Sequence, residues 1–137
     1  GIQNKLTLGN LEASRDWGFA GDYIKAMWMM LQHNKSDDWV VATGETYTVK
    51  QFAEAAFKYV DLDYEKYIQS SQKYFRPNEV DYLLGDPSKI KKELGWKNET
   101  SFDDLVKMMV DSDINLAKKE KVLLDENLIK PTWEYPV

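Results

Sequence analysis

The chain has 137 residues, 43% of them hydrophobic, which is enough for one compact core and little more. A formal charge of −5 with both signs interspersed argues against a nucleic-acid or anionic-membrane surface, each of which would carry a basic stripe. The absence of cysteine removes disulfides, thiolate catalysis and zinc clusters, one histidine cannot build a metal site unaided, and no apolar run approaches the roughly 18–20 residues that cross a bilayer.

These totals point to a soluble, cytoplasmic chain. The first residues do not resemble a natural start and carry no charged-then-apolar leader, so the chain reads as a piece of something longer. Along it, "KLTLGN" (5–10) alternates Leu6 and Leu8 with polar residues, the period of a half-buried strand ended by Gly9-Asn10. A loop carrying Arg15 follows. From Ala20, apolar residues at Tyr23, Ile24, Met27, Trp28 and Leu31 predict a helix with one broad buried face, and that spacing reads "MWMM" (27–30) as core. His33, at the end of this helix, suits the dipole as a structural surface residue.

"DDWVVAT" (37–43) predicts a short buried strand closed by Gly44. Thr48 and Gln51 form a capping box, and Val49, Phe52, Ala53, Ala56, Phe57 and Val60 then make the cleanest amphipathic stripe in the chain. "YEKYI" and "KYF" are strand-like segments before a turn at Pro77-Asn78. Asp86 as cap, Pro87 in the first helical position and Gly95-Trp96 as stop mark a short helix at both ends. Ser101 and Asp104 open the last helix, with Phe102, Leu105, Val106, Met109 and Val110 on its buried face, running to about Lys119. Residues 1–119 are therefore assigned to the folded region. Residues 120–137, with two prolines and no sustained period, are assigned to a tail that orders only on docking.

The chain has only two arginines, Arg15 and Arg76, in a lysine-rich background. A guanidinium presents a planar fork that matches two phosphate or carboxylate oxygens at once, whereas an ammonium is a point charge. Confining arginine to two loops is consistent with a pair converging on one anion. The commoner alternative is a structural pair with Asp16, Asp22, Glu79 or Asp81. Glu79 and Asp81 could accept from sugar hydroxyls, or simply close the turn. No reaction centre accompanies these residues. Gly18 and Gly21 are a lone G-x-x-G, no tyrosine has a lysine four residues on, and no nucleophile has an evident histidine partner.

The stretches "LGNLEASRDWGFAGDYIKAMWMMLQ", "DDWVVATGETYTVKQF", "KYFRPNEVDYLLGDPSKIKKELGWK" and "SFDDLVKMMVDSD" resemble, in order and spacing over about residues 5–118, the C-terminal portion of the GDP-mannose 4,6-dehydratases. These are extended short-chain dehydrogenase/reductases that act on nucleotide sugars. The resemblance implies an α+β fold of about four helices with short strands, the substrate-binding part of an extended Rossmann-type enzyme. It implies that Arg15 and Arg76 grip the diphosphate of GDP-mannose, that Glu79 receives ribose hydroxyls, and that Asn10 lies near the nucleotide. Two forks on one diphosphate would explain both the choice of arginine and its restriction to two loops.

The family's Gly-rich NADP loop and its Thr, Glu, Tyr and Lys catalytic set have no counterpart in this sequence. The resemblance therefore implies NADP and an N-terminal Rossmann domain in the intact enzyme, with no catalytic residue, cofactor or metal ligand in this chain alone. It also implies apolar surface that the chain could hide by self-association. Two other readings stay open: the substrate region of a different nucleotide-sugar epimerase or dehydratase, and a non-catalytic interaction module.

Overall fold

The structure is a computed structural model and describes residues 3–130. It is α+β, with four helices and short strands in the order β1 (Leu6–Leu8), β2 (Ser14–Arg15), α1 (Ala20–Gln32), β3 (Tyr47–Thr48), α2 (Val49–Tyr59), β4 (Ile68–Ser70), α3 (Ser88–Leu94) and α4 (Phe102–Asp125). The alternating Leu6 and Leu8 do form a strand, which pairs in parallel with β4, Leu6 opposite Ile68 and Leu8 opposite Ser70. β2 pairs antiparallel with β3, Ser14 opposite Thr48 and Arg15 opposite Tyr47.

The capping signals act as the sequence implies. Thr48 Oγ1 accepts from the Gln51 amide at 3.0 Å while Gln51 Oε1 accepts from the Thr48 amide at 2.7 Å, which satisfies two of the amides that a helix start leaves orphaned. Ser101 Oγ accepts from the Asp104 amide at 3.1 Å and opens α4 in the same way. With both starts fixed, α2 and α4 bring their aromatics together. Phe102 stacks on Tyr47 at 3.8 Å between ring centres and meets Phe52 edge-on at 5.8 Å, and Phe52 in turn meets Trp17 at 4.8 Å. The start of α3 departs from the expectation of Asp86 as cap and Pro87 as first helical residue: the helix begins at Ser88, Pro87 is the flanking residue with no side-chain cap bond, and Asp86 instead closes a local turn by accepting from the Ser88 amide at 2.9 Å. Gly95 ends α3 at φ +66°, a left-handed conformation that glycine adopts without penalty.

The deepest core is Ala26 of α1 with Ile90 of α3 and Trp96, surrounded by Tyr23, Met29, Met30, Trp39, Val41 and Leu94. The Trp96 indole N–H donates to the Asp22 carbonyl at 2.9 Å, so its one polar atom is satisfied inside the core. The Asp22 carboxylate, itself buried, accepts from the amides of Glu99 and Thr100 at 3.1 and 3.0 Å and ties the start of α1 to the loop before α4.

Further sequence expectations change. α1 has the expected bounds but buries a different face. Asp22, Tyr23, Ala26, Met29 and Met30 face the core, while Ile24, Met27, Trp28 and Leu31 are 64%, 58%, 61% and 82% exposed, so only half of "MWMM" packs inside. The helix is apolar on nearly all sides, and periodicity cannot choose between two apolar faces. Residues 37–43 are extended but form no strand. The backbone groups of residues 39–42 make no hydrogen bond to the described residues, and Val40 is exposed, since a strand exists only where a neighbour completes the ladder.

"YEKYI" and "KYF" are largely 3₁₀ turns, at Tyr64–Lys66 and Gln72–Tyr74, and the strand lies between them. The side chains of Asp63 and Ser71 accept from the amides of Glu65 and Lys73, and these local bonds outweigh the aromatic β preference. Met109 of α4 is exposed, and α4 itself continues past Lys119 to Asp125. Nothing in "LAKKEKVLLD" breaks a helix, Lys121 pairs with Asp125 one turn on, and the chain turns only at Asn127, φ +57°. Residues 1–2, and residues 131–137 at the Pro-rich end of the tail, lie outside the described residues.

Replacing Trp96 with alanine should lower unfolding free energy by about 3–5 kcal/mol, through lost burial and a cavity beside Ile90 and Ala26, read as a fall in the urea midpoint.

Candidate functional site

Arg15 projects from β2 alongside the segment 79–85. The two segments are laced together: the Ser14 amide donates to the Asp81 carbonyl at 2.7 Å and the Leu83 amide donates to the Ser14 carbonyl at 3.0 Å. Within this lacing, Arg15 Nη1 donates to the carbonyls of Ser14 and Val80 at 2.8 and 2.7 Å, and Nη2 forms an ion pair with Glu79 Oε1. The pair is largely shielded, with side chains 23% and 18% exposed. Of the donors on this guanidinium, Nε–H and the second Nη2–H make no bond to the described residues. Nε and Nη2 form one edge of the planar group, the edge that meets two oxygens side-on.

The structural reading of Arg15 is met: its carboxylate partner is Glu79, and two of its donors, Nε–H and one on Nη2, make no bond to the described residues. Glu79 Oε2, which makes no bond to the described residues, stays open as an acceptor. Arg76, three residues before Glu79 and at the head of the Pro77-Asn78 turn, is exposed and makes no hydrogen bond or ion pair with the described residues.

Asn10 follows β1, and its Oδ1 accepts from the Glu12 amide at 3.0 Å, closing a local turn. That end of β1 lies directly on the approach to Arg76. The Ser71 amide donates to the Leu8 carbonyl at 2.9 Å, Ser70 Oγ donates to the Gly9 carbonyl at 2.8 Å, and a Cβ on Gly9 would stand 2.5 Å from the Tyr74 carbonyl oxygen. Glycine is required at position 9 by this close approach.

Beside Arg15 opens a cleft of about 400 Å³, with Arg15, Asp16 and Tyr23 at its base and Val40–Ala42 and Leu83–Gly85 as its two walls. The Asp16 carboxylate, which sequence reasoning considered only as a partner for arginine, holds these walls. Its Oδ1 accepts from the Thr43 amide and hydroxyl at 2.9 and 2.7 Å, and its Oδ2 accepts from the amides of Gly44 and Gly85 at 3.1 and 3.3 Å. The only sequence signal for this role is an acid next to Arg15 with glycines at 44 and 85. Tyr23 also escaped notice as a site residue. Burial first, then the charges of Asp16 and Asp22, push its phenol up from the ordinary value, so it stays protonated at the cleft base. A larger groove of about 590 Å³ between α2 and α4, lined by Tyr47, Lys58, Phe102 and Val106 among others, shares no residue with the Arg15 cleft.

The family model described as GDP-mannose 4,6 dehydratase matches residues 1–109. The chain belongs to the GDP-mannose 4,6-dehydratase family. It is 60% identical to "GDP-mannose 4,6 dehydratase 2" of Arabidopsis thaliana over 91% of this chain and 34% of that protein, and 48% identical to the GDP-mannose 4,6 dehydratase of Dictyostelium discoideum over 82% of this chain and 36% of that one. It therefore spans about a third of the length of the curated relatives it matches. In fold it is similar to RMD from Pseudomonas aeruginosa, solved in complex with NADPH, with a TM-score of 0.69, 19% identity, and coverage of 79% of this chain and 35% of that one.

The G-x-x-G before and within α1 does not fit a dinucleotide phosphate. The space a Gly18 Cβ would take is held by the Tyr23 hydroxyl, 1.9 Å away, and that of Gly21 by the Phe19 ring at 2.3 Å. The glycines serve close side-chain packing, and no cradle is left for an anion. No group of three His, Asp or Glu side chains that could hold a metal gathers among the described residues. Among those residues, no helix is long and apolar enough to cross a membrane.

Asp86 and Asp37 give the fold a readable acid limb. Hydrogen bonds from the Ser88 hydroxyl and amide hold Asp86 below the usual carboxylate range, and the Lys89 ammonium does the same for Asp37. With native values depressed below the unfolded value of about 3.9, their contribution is complete above that pH and is lost as pH falls through the native values. Urea midpoints measured from about pH 5 downward should fall less steeply in Asp86→Asn and Asp37→Asn than in the parent chain.

Proposed function

We propose that this chain is the nucleotide-sugar-binding part of a GDP-mannose 4,6-dehydratase, taking the diphosphate of GDP-mannose or GDP on Arg15 and Arg76 and the ribose on Glu79, with Asn10 close to the nucleotide. The observation that carries this reading is the state of Arg15. Its guanidinium is fixed by Ser14, Val80 and Glu79, while two of its donors, Nε–H and one on Nη2, make no bond to the described residues, and the residue lines the cleft. A fork fixed before the ligand arrives loses little side-chain entropy on binding, and this arrangement could not be reproduced by lysine. Arg76 leads into the turn that presents Glu79, so both arginines act on the same stretch of chain.

The second half of the proposal concerns what completes the enzyme. A helix with Ile24, Met27, Trp28 and Leu31 on its open face, followed by an extended segment whose backbone at 39–42 lacks ladder partners, has the form of half a βαβ unit. A parallel sheet would cover both features at once. In this reading the sheet belongs to the cofactor-binding Rossmann part of the family enzyme, joined to this chain or supplied separately, and that part holds NADP and the catalytic residues.

Bound there, NADP would supply the hydride acceptor and donor for the dehydration of GDP-mannose to GDP-4-keto-6-deoxymannose. This chain's own residues bind and orient the nucleotide. With the sheet absent, the same α1 face would drive self-association at high concentration.

Titration with GDP-mannose, GDP and UDP-glucose, followed by tryptophan fluorescence or amide shifts near Trp17, should show preference for the guanosine ligands. Arg15→Lys and Arg76→Lys should each weaken that binding by about 1.5–3 kcal/mol, the worth of a charge-assisted contact. Equal affinity for UDP-glucose, or arginine variants that bind as the parent does, would overturn the reading.

A further inference from the structure

The cleft beside Arg15 has two walls that come from distant parts of the chain, Val40–Ala42 from the extended segment after α1 and Leu83–Gly85 from the run before α3. Sequence neighbours cannot set their separation. No backbone ladder spans them either, since residues 39–42 make no backbone hydrogen bond to the described residues. The polar links the structure provides are side chains: Thr46 Oγ1, a little beyond the first wall, donates to the Leu83 carbonyl at 3.1 Å, and Asp16 makes the larger set. Asp16 bonds to Thr43 and Gly44 just past the first wall and to Gly85 at the end of the second, while its own backbone continues directly from Arg15 in β2. Four donors converge on two carboxylate oxygens, three of them backbone amides of the walls.

The second wall is continuous with the segment that holds the arginine. Gly85 is anchored to Asp16, Leu83 and Asp81 are bonded to Ser14, and Val80 and Glu79 are bonded to Arg15. From Glu79 to Gly85 the run is therefore pinned at its far end by Asp16, in its middle by Ser14 and Thr46, and at its near end by Arg15. Releasing the far end loosens the run against β2, and the acceptors that fix the guanidinium shift with it by as much as the middle bonds allow. Close packing leaves little slack of its own, because a Cβ on Gly85 would lie 2.3 Å from the Ala42 Cβ.

We propose that Asp16 is the positioning residue of this site, setting the width of the cleft and, through the 79–85 run, the orientation of the Arg15 fork. This rests on the reading that Arg15 meets the phosphates of the ligand. Asp16 itself does not touch the ligand. All four of its donors come from the chain, and a carboxylate so occupied has no reason to face an anion. An amide in its place keeps the shape but turns an NH₂ group toward N–H donors of Gly44 and Gly85, a donor facing donors.

The test uses the fact that the chain has only two arginines, so its ¹⁵N spectrum carries two Nε–Hε signals and Arg76 serves as an internal reference. In the ligand-free chain, Asp16→Asn should shift the Arg15 signal and speed its exchange with water while leaving the Arg76 signal in place. Asp22→Asn, which removes a comparable acceptor of two amides elsewhere in the fold, should leave both signals unmoved. Thr43→Val, which removes one donor and keeps the shape, should move the Arg15 signal in the same direction by less, and it carries the test if Asp16→Asn does not fold.

In titrations with GDP, Asp16→Asn should bind roughly tenfold more weakly than the parent. An Arg15 signal unchanged in folded Asp16→Asn or Thr43→Val overturns the positioning role, as does an equal shift in Asp22→Asn. If the parent chain binds no GDP while the Arg15 signal still moves, the nucleotide reading fails and the positioning of Arg15 by Asp16 stands.

Discussion

A single carboxylate at the base of a cleft, accepting hydrogen bonds from Thr43, Gly44 and Gly85, holds together parts of this chain that no sheet joins. The described strands are two or three residues long and form two separate pairs, so regular backbone pairing fixes little of the architecture. Short ladders of this kind are marginal on their own. Side-chain acceptors do what a larger sheet would otherwise do. Asp16 ties the 43–44 and 85 segments to β2, and Asp22 ties the start of α1 to the loop at Glu99 and Thr100. Asp16 uses both of its oxygens and Asp22 takes both of its amides on Oδ2, and such bonds offset the cost of holding a carboxylate away from water.

The choice of residues around Arg15 follows from the same economy of geometry. A lysine at this position could reach one acceptor at a time, whereas the guanidinium engages Ser14, Val80 and Glu79 and still keeps an edge. The ion pair with Glu79 is therefore a structural pair that also fixes the orientation of the remaining donors. Glycine has an equally specific use here. Gly9 lets β1 approach the turn before Phe75, while Gly18 and Gly21 make room for the Tyr23 hydroxyl and the Phe19 ring, which is why a glycine pair near a helix start serves packing in this chain.

The open face of α1 and the unpaired extended segment after it show a fold whose packing is lopsided. Core residues gather on one side, around Trp96, while large apolar residues of α1 look outward. Exposed apolar residues in a row along one helix face are unlike the scattered ones any surface carries. This gives the proposed sheet partner a physical motive in the packing itself, beside the family comparison.

By itself the sequence determined whatever depends on near neighbours. The starts of α2 and α4, the stop of α3 at Gly95, the turn at Pro77-Asn78 and the α+β class were legible because caps, turns and short-range periodicity act over a few residues. The family was legible as well, from the order of its motifs. Tertiary structure alone decided which of two apolar faces α1 would bury, whether 37–43 would find a ladder partner, and which acid Arg15 would take among Asp16, Asp22, Glu79 and Asp81. Those outcomes depend on contacts between residues more than 25 positions apart, such as Arg15 with Glu79 and Asp16 with Thr43 and Gly85. Local spacing carries no information about such distances, because it is the packed core around Trp96 that brings those positions together.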